Sequence, residues 1–228
     1  MPRHARGFDT DAAFAHLGKR DRKLGAWMKK LGPIEPDPRW RKPFDPVDAL
    51  ARAILYQQLS GKAAATIVGR VEAAIDSDRF YCDTLARCDD ATIRACGVSG
   101  NKLLALRDLA LRESNGEIPD LRRMATMDND GIIAALVPVR GIGRWTVEMM
   151  LMFRLGRPDV LPVDDLGIRK GVQAVDKLED MPPPKWLIER GEKWGPYRTY
   201  ASLYLWRIAD LANAPKAKDA KPVKRSQG

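Results

Sequence analysis

The stretch Leu136-Val-Pro-Val-Arg-Gly-Ile-Gly-Arg-Trp-Thr-Val-Glu-Met-Met150 joins two apolar segments of helical period through a turn that holds Ile142 between Gly141 and Gly143. No other stretch restricts the fold as much. Glycine reaches φ > 0 and lets another backbone come close. The connection can therefore be tight enough for a hairpin of helices. It exposes its own amides and those of the next helix start, where the dipole favours an anion. A Gly-x-Gly turn alone is an ordinary helix connection. What narrows it is Leu161-Pro-Val-Asp-Asp-Leu-Gly-Ile168, an acidic pair just ahead of another helix. Asp is among the commonest N-caps, and capping explains one of Asp164 and Asp165. A second adjacent Asp is not needed for a cap, and a helix N-terminus keeps a half-buried carboxylate charged.

Helical periodicity appears nearly everywhere and strand signals are almost absent. Residues 9–31 read as one or two helices, the second carrying Leu24, Trp27, Met28 and Leu31 on one stripe. Four prolines make residues 32–43 a loop. Asp45-Pro46 opens a helix with Val47, Leu50, Ile54 and Leu55 inward. Tyr56-Gln-Gln-Leu-Ser-Gly-Lys62 interrupts it before a helix burying Ile67, Val68, Val71 and Ile75. A short helix ends at Gly97, and Ser99 caps the next, with Leu103, Leu106 and Ala110. Asp128 opens the first hairpin helix, with Ile132, Ile133 and Leu136 inward. The second, Arg144 to Leu155, is apolar on nearly every face and reads as buried. Residues 185–211 are helical with a break near Gly195-Pro196, after the Met181-Pro-Pro-Pro184 interruption.

Composition excludes several classes of function. Only His4 and His16 are present, which argues against a histidine metal site or a Ser-His-Asp triad. Cys82, Cys88 and Cys96 are odd in number and spaced for neither disulfides nor a zinc ribbon. No run approaches the roughly 18 apolar residues of a membrane span, and the N-terminus lacks an apolar signal core, so an intracellular protein is expected. The net charge of +9 favours a polyanionic partner. Residues 213–228 hold five basic residues and one acidic one, read as an unstructured basic tail. Without them the body keeps +5.

Val139-Arg-Gly-Ile-Gly-Arg-Trp-Thr146 followed by Leu161-Pro-Val-Asp-Asp-Leu-Gly-Ile168 resembles the helix-hairpin-helix DNA glycosylases, and most closely the 3-methyladenine DNA glycosylase II branch. The resemblance runs from about residue 10 to 211. It implies an all-α fold of two helical lobes with a central cleft over residues 1–212, the hairpin at about 130–155, and no N-terminal β domain. It also implies a base-excision repair enzyme acting on double-stranded DNA with alkylated bases, as a monomer, at the nucleoid or in a nucleus. Some relatives carry a four-cysteine iron–sulfur loop near the C-terminus. No cysteine follows Cys96 here, so no cluster and no other cofactor are expected. One departure is Arg140, where the family usually has Pro.

Matched without gaps, Asp165 lies twenty residues after Trp145 and falls on the family's catalytic aspartate. Asp164 is then the cap or a support. Trp145 stands where bifunctional relatives place a Schiff-base lysine, which implies a monofunctional hydrolase. Trp145 and Trp206 match aromatic walls of the base pocket in the alkylation-repair branch. Gly141, Gly143, Arg144 and Thr146 belong to the hairpin that grips phosphate. Gln58 falls at the position that fills the gap left by an extruded base. Gly97-Val-Ser99 ahead of Lys102 resembles another family turn, and the structural reading of it is preferred. Two rival readings remain: a binding-only hairpin module, and a glycosylase of the same fold for mismatched, deaminated or oxidised bases.

Overall fold

The computed structural model describes residues 4–213. Among them are thirteen α-helices and two short 3-10 turns, and no strand. None of these helices is long and apolar enough to cross a membrane. In chain order the helices are α1 (Thr10–Arg20), α2 (Arg22–Leu31), α3 (Pro46–Tyr56), α4 (Gly61–Ile75), α5 (Cys82–Leu85), α6 (Asp90–Ala95) and α7 (Gly100–Ser114). They continue with α8 (Leu121–Met124), α9 (Asn129–Leu136), α10 (Arg144–Phe153), α11 (Leu166–Asp176), α12 (Pro184–Gly191) and α13 (Arg198–Asn213). The chain folds as two compact units, one from residues 1–10 and 34–160, the other from 11–33 and 161–228. The basic tail expected over 213–228 lies, beyond Asn213, outside the described residues.

Local chemistry places most helix starts. Asp21, Asp45, Ser60, Asp89, Ser99, Asp120, Asp128 and Asp165 each accept a backbone N–H of the first turn of the helix they precede. Each such cap contributes about 1 kcal/mol.

In the first unit, the apolar stripes of α3 and α4 go inward, with Leu50, Ile54, Leu55, Val71 and Ile75 fully buried, while Ile67, expected inside, is only half-buried. The loop expected over residues 32–43 contains more order than its prolines suggest. Residues Pro38–Arg41 form a 3-10 turn that buries Trp40. The Trp40 indole N–H donates to the Met152 carbonyl at 2.8 Å, which fastens the turn to the end of α10. The local sequence carries no sign of that long-range bond.

In the second unit, α11 lies directly on α13. Gly171 permits it, since a Cβ there would collide with the Leu205 carbonyl oxygen. Below them Asp21, Asp176 and Arg190 form a buried ion-pair cluster, with Arg190 at 2.6 Å from an oxygen of each carboxylate. The Trp194 indole N–H also donates to Asp21 at 2.8 Å. Burial pushes the Asp21 carboxyl up. Arg190 and Trp194 outweigh that and hold it below the usual carboxylate range. Asp176 is lowered in the same way, burial opposed by Arg190 and Lys23.

Candidate active site and nucleic-acid interface

The hairpin forms where its glycines stand, but the two glycines do different things. Gly141 sits at φ +78°, a region an L side chain rarely enters, and a Cβ on it would stand 3.3 Å from Ala105 Cβ. Gly143 sits at φ −91° with open space around its Cα. Of the two, only Gly141 is in the left-handed region. Gly143 is the N-cap of α10 and offers no side chain to its first turn, unlike the Asp and Ser caps elsewhere. Ile142 anchors the turn, only 3% exposed. The backbone N–H of Arg140 donates to Asp108 Oδ2 at 2.7 Å. A proline there would have no N–H to give, so this chain replaces ring stiffness with a hydrogen bond.

Arg144 opens α10 with its guanidinium turned onto acids, 3.0 Å from Glu148 and 3.6 Å from Asp130. Trp145 is half exposed, at 50%. The reading of α10 as buried on nearly every face is therefore corrected, because one face opens at Trp145. That face lines a recess of about 570 Å³ together with Tyr56, Gln58, Thr146, Met149 and Phe153. Arg39 also lines it, its guanidinium 4.6 Å over the Phe153 ring. Thr146 thus belongs to the recess wall.

Between α3 and α4 the chain turns through Gln57 to Ser60. Gln58 is exposed and sits at φ 56°, in the left-handed region. Its neighbour Gln57 points its side-chain amide at the hairpin and donates to the Gly141 carbonyl at 2.8 Å. Lys102 donates to the carbonyls of Leu55 and Gln57, each at 2.7 Å. In the turn ahead of Lys102, Ser99 caps α7.

In the second unit, Asp165 is itself the N-cap of α11: its Oδ1 accepts the Ile168 N–H at 2.9 Å. Of the two roles offered for Asp164, cap or support, the cap falls to Asp165 instead. The same Oδ1 accepts the Trp206 indole N–H at 2.8 Å. Gly167 makes room for this pair, since a Cβ there would press to 2.7 Å from the Trp206 ring. Asp165 and Trp206 are brought into direct contact, so Trp206 orients the carboxylate as well as presenting a ring.

Residues 51–196 match the HhH-GPD superfamily of base excision DNA repair proteins. The chain belongs to this family. DNA-3-methyladenine glycosylase 1 of Schizosaccharomyces pombe is 35% identical over 202 residues, 88% of each chain. Among solved structures, a DNA-3-methyladenine glycosidase from Bacillus halodurans is similar with a TM-score of 0.79 and 34% identity, over 89% of this chain and 91% of that one. The S. pombe 3-methyladenine DNA glycosylase in complex with abasic DNA gives a TM-score of 0.76 and 34% identity, over 90% of this chain and 100% of the other. The family, the all-helical fold and the assignment to the glycosylases stand on these matches.

Within this HhH-GPD chain, the sequence did not reveal the hairpin bond of Gln57, the role of Asp108 or the carbonyl-binding role of Lys102. All three act through backbone atoms more than 30 residues away in sequence. No periodicity or motif signals such a bond.

Proposed function

We propose that this chain is a monofunctional DNA glycosylase that extrudes alkylated purines, 3-methyladenine and 7-methylguanine, from duplex DNA and hydrolyses the N-glycosidic bond. The observation that carries the proposal is the Asp165 carboxylate, set at the start of α11 by the Ile168 amide and the Trp206 indole. Breaking the bond builds oxocarbenium character on the sugar, and an anion preorganised beside it lowers that barrier. The same carboxylate orients the attacking water and takes its proton. Water adds its oxygen to the sugar carbon, and the bond electrons leave with the base. A purine alkylated at N3 or N7 carries a positive charge and departs neutral, so no acid need protonate it. Trp145 stands in place of a Schiff-base lysine, so strand scission is not part of the reaction. Trp145, half exposed, and Trp206 are each the kind of aromatic face that stacks on a flipped cationic base with cation–π attraction.

The hairpin supports the DNA-binding half of the proposal. The uncapped start of α10 suits a backbone phosphate, which positions the protein without reading sequence. Purified protein is incubated with methylated duplex DNA and with a panel of mispaired, deaminated and oxidised lesions. Released bases are identified, and strands are checked with and without alkali. Release of methylated purines with strand breaks only after alkali is expected. Release of uracil, thymine or 8-oxoguanine instead selects another glycosylase specificity. Binding with no release from any substrate selects a binding-only hairpin module.

A further inference from the structure

One face of α7 touches both the Gln57–Ser60 turn and the Gly141 turn. Lys102 holds the Leu55 and Gln57 carbonyls at the end of α3. One helical turn further on, Ala105 leaves Gly141 little room, since a Cβ on Gly141 would stand 3.3 Å from its own. Asp108, one turn beyond that, holds the Arg140 amide. The spacing of 102, 105 and 108 keeps the three on adjoining faces of the helix. The turns are also joined to each other directly, by Gln57 Nε2 on the Gly141 carbonyl across 84 residues of sequence.

A plain helix ending explains part of this. The last carbonyls of a helix lack partners, and a lysine commonly supplies one. It does not explain why a second, independent bond runs from the Gln57 side chain to the hairpin. Nor does it explain why Gln58 is held at φ 56°, where a residue with a Cβ persists only when its surroundings over-determine it. Burial also lowers the Lys102 pKa, as expected of an ammonium that trades water for carbonyl oxygens.

We infer that Gln57, Lys102 and Asp108 are positioning residues that pin the Gln58 turn and the Gly141 turn to α7 as one rigid edge. Seating the hairpin on a phosphate and inserting Gln58 into the duplex are then a single event. This rests on reading the two turns as the phosphate grip and the wedge. Such an edge transmits register from the backbone contact to the insertion point, where misplacement of about 1 Å costs on the order of a hundredfold in rate.

The test needs no chemistry. A duplex carries a tetrahydrofuran abasic analogue with 2-aminopurine beside it, so that insertion reads out as a fluorescence change. Wild type shows the change and prefers this duplex over an undamaged one. Gln57→Leu and Lys102→Met stay folded with a modest loss of melting temperature and keep the affinity for undamaged duplex. They lose about tenfold in preference for the abasic analogue, with a matching loss of the fluorescence step. Lys102→Arg, which still donates, restores both. Should Gln57→Leu fail to fold, Gln57→Glu keeps the size and removes the donor. Gly143→Val alone weakens binding, and combined with Gln57→Leu it adds less than the sum of the two effects, because joined turns fail together.

Variants that keep the full fluorescence step and preference overturn the inference, as does strict additivity or a wild type that shows no step. If wild type shows the step and the variants lose it, yet no methylated base is released, the proposed reaction fails and the coupled edge stands. If wild type releases methylated bases while the variants keep an undisturbed step, the reaction stands and the coupled edge fails.

Discussion

At the residue scale, Asp165 caps α11 and in the proposed mechanism also supplies the catalytic charge, and one substitution separates the two. Asn is as good an N-cap as Asp, so Asp165→Asn keeps the bond to Ile168 and removes only the charge. Base release should fall on the order of 10²–10³-fold while the melting temperature and duplex affinity hold. Asp164→Asn should leave release near wild type. If the two results are exchanged in a release assay, the assignment within the pair is wrong. Trp206 holds the carboxylate and, in the proposed mechanism, also faces the base. Trp206→Phe keeps a ring and removes the N–H that holds Asp165, so it should slow release of every lesion alike. Trp206→Ala removes the ring too and should cost more on cationic methylated purines than on neutral hypoxanthine. Equal losses on charged and neutral bases for the alanine variant would remove the ring from the pocket.

At the scale of elements, the hairpin and the α11–α13 pair depend on glycines for unlike reasons. Gly143→Ala meets open space at an ordinary φ, so stability should hold while affinity for all duplexes falls together. Gly141→Ala places a Cβ at φ +78° against Ala105 and should cost about 1 kcal/mol or more in folding. Thermal melting beside a salt-titrated binding curve checks both. A Gly143→Ala variant that binds normally would remove the N-terminus of α10 from the phosphate grip. Gly171→Ala drives a methyl into the Leu205 carbonyl, and only a shift of α11 from α13 relieves it. A loss of about 1–3 kcal/mol is expected. Because α11 carries Asp165, release should fall along with stability.

At the scale of the whole molecule, charge acts inside and outside. Asp21 and Asp176 are held below their ordinary range by Arg190. A carboxyl lowered in the folded state contributes stability above its unfolded value of about 4. That contribution is lost as pH falls through the lower folded value. Acid unfolding should therefore begin below about pH 4 and be blunted in Asp21→Asn, which removes one titrating partner. At neutral pH that variant leaves Arg190 with one fewer buried counter-charge and should be destabilised by about 3–5 kcal/mol. Unfolding of both proteins followed by circular dichroism from pH 7 to 2 tests the sign. Outside, the net charge of +9 should make duplex affinity fall steeply with salt as counterions are released.

Most of what was local in cause was legible in the sequence. Helix period needs only neighbours three and four apart, so the stripes of α3, α4 and α9 could be read directly. A cap needs only the next three amides, so Asp45, Ser99 and Asp128 marked their helices. The hairpin and the acidic pair were visible because their chemistry is written in consecutive residues. Which aspartate of the pair takes the Ile168 amide depends on a one-residue register, and the tertiary contact with Trp206 accompanies it. The half exposure of Trp145, the burial of Trp40 within a proline-rich loop and the left-handed Gln58 were not legible. Each is set by groups brought close only when the chain has folded: the recess beside α10, the Met152 carbonyl, and the clasp of Lys102 and Gln57. Local interactions act within one helical turn and can be read along the chain, whereas a single hydrogen bond across a hundred residues leaves no periodicity behind it.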